Sequence, residues 1–168
     1  MVAGVGLLES PNNMKKIFRK IIGYIIVLPF VIVSKFLSFF LGQEKAIEVV
    51  GPRLTKSAKG SLKFWVPRID NAEEFNSFPA RMKKNFRLWE PFYDIEISEE
   101  TNDVFKLHVT NCPFCEALSH LGMSQLSPYV CEGDWAISRD NADKWEFERN
   151  HQIGTGDSYC DHTYRRIQ

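Results

Sequence analysis

The chain has 168 residues, enough for one domain with a core of its own. Its 21 Lys and Arg match 21 Asp and Glu, so it lacks the strongly basic character of a nucleic-acid binder, and no nucleic-acid partner is expected. The many aromatics, with no low-complexity tract and no internal repeat, exclude a disordered chain and a repeat array.

The N-terminus carries the first informative segment. Met14 opens a basic cluster of Lys15, Lys16, Arg19 and Lys20, so residues 1–13 read as an N-terminal extension ahead of a second start. Ile21 to Ser34 is an uncharged run, IIGYIIVLPFVIVS, which Lys35 interrupts before FLSFFLG ends at Gly42. Residues 21–42 therefore reach the roughly 20 residues needed to cross a bilayer. A cleaved signal peptide is disfavoured, because no small-x-small cleavage site follows the run cleanly. A helix buried in the domain core stays open, since Lys35 could snorkel from it. The preferred reading of 14–42 is an anchor that spans the membrane or lies in its interface, which makes the cell membrane the expected location. The dense basic cluster favours an inside N-terminus, although Lys45, Arg53, Lys56, Lys59 and Lys63 follow the run and leave the side unsettled.

Residues 43–168 read as a folded domain. Ala46, Ile47, Val50, Leu54 and Ala58 recur near a 3.6-residue period, which predicts a helix over Gln43–Trp65 with a break or kink at Pro52. A second helix is predicted over Ala72–Trp89, with Phe75, Phe78, Met82, Phe86 and Trp89 on one face and Pro79 at a first-turn position. The period then falls to two. Tyr93, Ile95 and Ile97 alternate with polar residues, EETND supplies a turn, and Phe105, Leu107 and Val109 alternate again, which is a β-hairpin signal. Pro113–Leu121 reads as a short helix closed by Gly122, and Ser127-Pro128 opens another that runs to about Arg139. Lys144–Ile153 and Tyr159–Ile167 look like strands joined by a Gly154–Asp157 turn. The expected class is α+β: N-terminal helices followed by a ββααββ unit with a small antiparallel sheet.

Four cysteines, Cys112, Cys115, Cys131 and Cys160, fall in the C-terminal third. Each could be a buried inert thiol. Cys112-Pro113-Phe114-Cys115 is a C-x-x-C at a helix start, where the helix N-terminus favours a thiolate. A redox motif would want a βαβ setting and a zinc knuckle a second pair, so this motif is weak alone. Cys131, Asp134, Trp135 and Ser138 share a helix face at i, i+3, i+4 and i+7, and a carboxylate there must find a partner. Alternation places Arg149 and His151 on the strand face that carries Trp145 and Phe147. The planar guanidinium suits a carboxylate, either a side chain's in a structural pair or a substrate's. Cys160 and His162 share a face on the last strand.

Taken in order, Asn111-Cys112, a short helix ending at Gly122, Pro128 before Cys131-x-x-Asp134, then Arg149, Gly154 and Tyr159-Cys160-Asp161, resemble the L-2-amino-thiazoline-4-carboxylate hydrolase family. The resemblance is strongest over 104–164, extends more loosely to Leu41, and leaves the apolar run outside. His162 departs from the aromatic residue usual after Cys-Asp, and Cys115 is not a position the family is expected to require. The resemblance implies hydrolytic opening of a cyclic amidine-like ring at a carbon bonded to sulfur, yielding a carbamoyl-cysteine. It implies catalytic roles for Cys131, Asp134 and Cys160, with a thiolate or a positioned water attacking and Asp134 holding the amidinium. Asn111, Cys112, Arg149 and Asp161 would bind the substrate, Arg149 through its carboxylate and Asn111 at the developing charge; no resident metal is expected for the hydrolase. A non-catalytic membrane-held module binding a small ligand, zinc or iron through Cys112, Cys131 and Cys160 is the alternative, and a Cys112–Cys115 redox dithiol is a third.

Overall fold

The structure, a computed structural model, describes residues 11–167; most of the expected 1–13 extension lies outside the described residues. The α+β order read from the sequence is present: five α-helices and one four-stranded antiparallel sheet among the described residues.

Helix α1 spans Pro11–Leu41 and α2 spans Gln43–Leu62. Gly42, at φ +82°, makes the turn between them, a left-handed conformation that glycine adopts at little cost. By length and composition α1 can cross a membrane. The break expected at Pro52 is not there, because α2 continues through it. Proline removes one backbone bond, but Val50, Gly51 and Leu54 are buried on the same helix, and that packing holds the turn together. At Gly51 a Cβ would overlap the Tyr129 ring, so the helices meet here at close range.

A 3₁₀ turn at Ala72–Ser77, capped by the Asn71 side chain on Glu74 N, leads into α3 at Phe78–Trp89. Pro79 takes the first-turn position, where its missing N–H costs nothing. Strands β1 (Ile95–Glu100) and β2 (Val104–Val109) form the hairpin, with a bulge between Ile97 and Glu99. Helix α4 covers Pro113–His120 and ends at Gly122, which sits at φ +71°. Helix α5 covers Ser127–Arg139.

The last two strands are shorter than expected: β3 is Trp145–Glu148 and β4 is Cys160–Arg166. They pair directly, with Phe147 opposite Tyr164. Between them residues 149–159 leave the sheet and form a connection with a 3₁₀ turn at Ile153–Thr155, in place of a tight Gly154–Asp157 hairpin. The sheet order is β1-β2-β4-β3.

Register decides which residues share the covered face. Val109 stands opposite Cys160, Leu107 opposite His162 and Phe105 opposite Tyr164, so all six point the same way. Under this face lies an aromatic core that includes Phe75, Phe78, Trp65, Trp145 and Tyr164. Each such side chain contributes on the order of 2 kcal/mol on burial. A second core joins α1, α2, α4 and α5 through Val27, Val31, Val50, Leu54, Leu118 and Leu126. The third cluster, Cys112, Cys115 and Cys131, sits where the helices reach the sheet.

Candidate active site

Helix α5 presents Cys131 and Asp134 on one face, as their i, i+3 spacing requires. It can lie close to α2 because a Cβ at Gly133 would fall 2.7 Å from the Ala58 Cβ. The 149–159 connection folds back over α5 for a similar reason. A Cβ at Gly154 would stand 2.6 Å from Cys131 Sγ and 2.7 Å from the Ser127 carbonyl oxygen.

Arg149 lies one residue past β3 and is fully enclosed, its side chain 1% exposed. Nη1 donates to Asp134 Oδ2 at 2.6 Å and lies 3.3 Å from His162 Nε2. Nη2 donates to the Cys131 carbonyl at 2.8 Å and to Gln152 Oε1 at 2.9 Å. These contacts occupy both Nη groups, so in this arrangement the guanidinium serves Asp134 and the α5 backbone. The rings of Trp135 and Phe147 flank it, each centroid 5.8 Å from Cζ.

Burial pushes the Asp134 carboxyl up, but the charges and hydrogen bonds of His162 and Arg149 outweigh it and hold the group below the usual carboxylate range. His162 Nε2 is 3.7 Å from Asp134 Oδ2. Its Nδ1 is buried without a hydrogen-bond partner.

The thiols form a chain. Hydrogen bonds from Cys115 and Cys160 lower Cys131 well below the usual thiol range, and Arg149 adds its positive charge. Cys115 is pushed up strongly by its bonds to Cys112 and Cys131 and by burial. Cys160 is pushed up by its bond to Cys131 and by burial, although it accepts from Ile153 N at 3.3 Å. The arrangement concentrates thiolate character on Cys131 and leaves its neighbours as donors. All four cysteines are free and buried.

Cys131, Asp134, Cys112, Cys160 and His162 line a cavity of about 70 Å³. Trp65, Tyr93, Val109, Phe114 and Val130 close it with apolar surface. The cavity thus combines apolar walls with a few convergent polar groups.

The structure thus brings four of the residues singled out in sequence, Cys112, Cys131, Asp134 and Cys160, to one cavity, with Arg149 behind them. It places two elsewhere. Asn111 donates through Nδ2 to the Phe92 carbonyl at 2.9 Å and accepts from Asp94 N, which ties the start of β1 to the end of β2. Asp161 points to the opposite sheet face and accepts from His151 N at 2.5 Å and Asn150 N at 3.0 Å, fastening the 149–159 connection. Burial pushes its carboxyl up, yet these backbone donors hold it below the usual range. His151 is exposed and stacks on Tyr159. Conversely, His162 and Cys115, set aside in sequence as departures, both join the site. Gln152 and Tyr93 were not singled out for it; only the alternation that paired Cys160 with His162 offered a signal.

Among the described residues, no group of three or more His, Cys, Asp or Glu side chains is arranged to hold a metal ion.

The thiol whose pKa is lowered and the arginine-held carboxylate thus face one small, largely apolar cavity. The chain belongs to the L-2-amino-thiazoline-4-carboxylic acid hydrolase family, whose model matches residues 18–164. The match begins at residue 18, within the basic cluster, and so takes in the apolar run that the 41–168 resemblance left outside. No curated relative matches the chain.

Proposed function

We propose that the protein is a hydrolase that opens the ring of a cyclic amidine of the 2-amino-thiazoline-4-carboxylate type, using Cys131 and Asp134. Family membership supports the reaction class. The observation that carries the residue assignment is that the thiol whose pKa is lowered and the ion-paired carboxylate line the same cavity.

In this reading Asp134, kept as a carboxylate by Arg149, pairs with the substrate's amidinium through two hydrogen bonds. That contact draws charge to the ring carbon between nitrogen and sulfur. The Cys131 thiolate attacks this carbon and forms a new C–S bond. The ring C–S bond breaks, and its sulfur leaves as a thiol once protonated. Water then adds to the same carbon, and the bond to Cys131 breaks. The water oxygen becomes the carbonyl of a carbamoyl-cysteine; one of its protons replaces the one that the Asp134–His162 pair gave to the ring sulfur, the other is released to solvent in place of the amidinium's proton, and Cys131 departs as thiolate. Net, one water is added and one ring C–S bond is lost.

Cys115 and Cys160 donate to the Cys131 sulfur and hold it as thiolate. Arg149 acts through Asp134, orienting it, and Asn111 and Asp161 keep the surrounding backbone in place. A metal-binding module is not favoured, since its proposed ligands form no metal-holding group among the described residues. The protein would work at a membrane, held there by α1, whose length and composition suit that task.

Mass spectrometry of protein quenched during turnover of 2-amino-thiazoline-4-carboxylate tests the scheme. An adduct of substrate mass on the Cys131 peptide is expected. Turnover with no adduct, and with full activity in Cys131→Ala, would leave direct attack by water instead.

A further inference from the structure

Helix α1 has two unlike faces. Gly23, Val27, Val31 and Ser34 form an inner stripe that is wholly buried against α2 and α4. At Gly23 a Cβ would collide with the Pro113 carbonyl, so α1 and α4 touch backbone to backbone. The N-terminal end is fastened as well, with Arg19 gripping both Asp94 carboxylate oxygens, at 2.6 and 2.7 Å, and donating to the Pro91 carbonyl at 2.9 Å.

Beyond Phe18, whose ring lies 5.5 Å from that of Phe92, the outer face has no partner among the described residues. Phe18, Ile21, Ile25, Ile32, Phe36 and Phe39 recur every three to seven residues along it, and all are exposed. Exposed Ile26, Leu28 and Val33 widen the apolar arc to about half the helix circumference. Lys15 and Lys35 are exposed at the edges of this arc, Lys16 and Lys20 are exposed on the opposite, docked side near the N-terminal end, and α1 contains no acidic residue.

We propose that α1 lies flat in the interfacial zone of a lipid bilayer, its outer face in the acyl boundary and Lys15 and Lys35, at the edges of that face, beside anionic headgroups. The rest of the domain stands above it in water. This takes the membrane association proposed for α1 and assigns its geometry.

A spanning helix conflicts with the contacts. The middle of the apolar run is the part docked on the domain, so burying it across a bilayer would carry the docked polar groups into hydrocarbon. Tyr24 Oη, 3.3 Å from His120 Nδ1, and the buried Ser34 are among them. A second copy of the chain fits less well, because a helix–helix seam is narrower and is flanked by charged positions. The Ile21–Ser34 run has none.

Two measurements on the full-length protein test this. In flotation with phosphatidylcholine vesicles containing phosphatidylglycerol, wild type should float, and Ile25→Glu/Ile32→Glu should bind about tenfold less or weaker while unfolding at the wild-type temperature. Failure of wild type to float, with a stable dimer in solution that the same double variant dissociates, would assign the face to a second copy and overturn membrane association itself. In sealed membrane vesicles, Lys15→Cys and Gln43→Cys should both react with a membrane-impermeant maleimide from one and the same side. Reaction from opposite sides would keep the membrane and overturn the in-plane geometry.

Discussion

Arg149 and Asp134, fifteen residues apart in sequence, meet at 2.6 Å with the guanidinium side chain 1% exposed and the carboxylate 16% exposed. The pair joins the 149–159 connection to α5 directly behind the cavity. Removing one member of a buried pair strands the other, which typically costs about 3–5 kcal/mol. Arg149→Ala should therefore lose stability on that scale in urea unfolding, and Arg149→Lys should recover only part of it, because an ammonium cannot reproduce the planar fork.

Asp134 gives the pair a pH signature. Its carboxyl is held below the usual range, so it stabilises the fold at pH values above the unfolded value near ~3.9. That contribution is lost as the pH falls further, through the lowered folded value. Unfolding free energy should drop below about pH 4 in wild type, and Asp134→Asn should remove part of this slope. Parallel acid profiles for the two proteins would contradict the ion pair's role.

Cys131 should be the first thiol to react with iodoacetamide, despite being buried, because it lines the cavity and its pKa is lowered. The pH midpoint of its alkylation should fall below the ~8.5 of an ordinary thiol. Cys115→Ala or Cys160→Ala each removes a donor to the sulfur and should move that midpoint upward. Peptide mapping after short exposure gives both the site and the rate.

Gly154 is required by proximity alone. A methyl there would meet Cys131 Sγ and the Ser127 carbonyl at under 3 Å, and the neighbours are largely backbone. Gly154→Ala should cost about 1–3 kcal/mol, since the connection must lift from α5. An unchanged melting temperature would show that this contact is looser than the structure has it.

Local pattern carried much of this architecture. Period-two spacing placed the hairpin, proline and glycine at the helix ends placed α4 and α5 nearly to the residue, and helical spacing put Cys131 beside Asp134. Alternation also turned Arg149 inward, although β3 ends at Glu148 and the residue reaches Asp134 from the connection instead. What stayed hidden depends on distant neighbours. Cys115 and His162 gain their place only when α4 and β4 arrive beside α5. The unbroken α2 at Pro52 reflects packing by Val50, Gly51 and Leu54 that proline's local preference does not report. The apolar run looked uniform, so nothing in it marked Gly23, Val27 and Val31 as the stripe that docks on the domain.

The proposed ring opening by Cys131 and Asp134 releases one thiol per turnover. Release of free thiol from 2-amino-thiazoline-4-carboxylate, followed for wild type and Cys131→Ala with each protein's own thiols subtracted, tests it most directly. Wild type should release thiol steadily, and the variant should lose on the order of 10³-fold of that rate. Equal rates for the two proteins, or no thiol release by wild type, would contradict it.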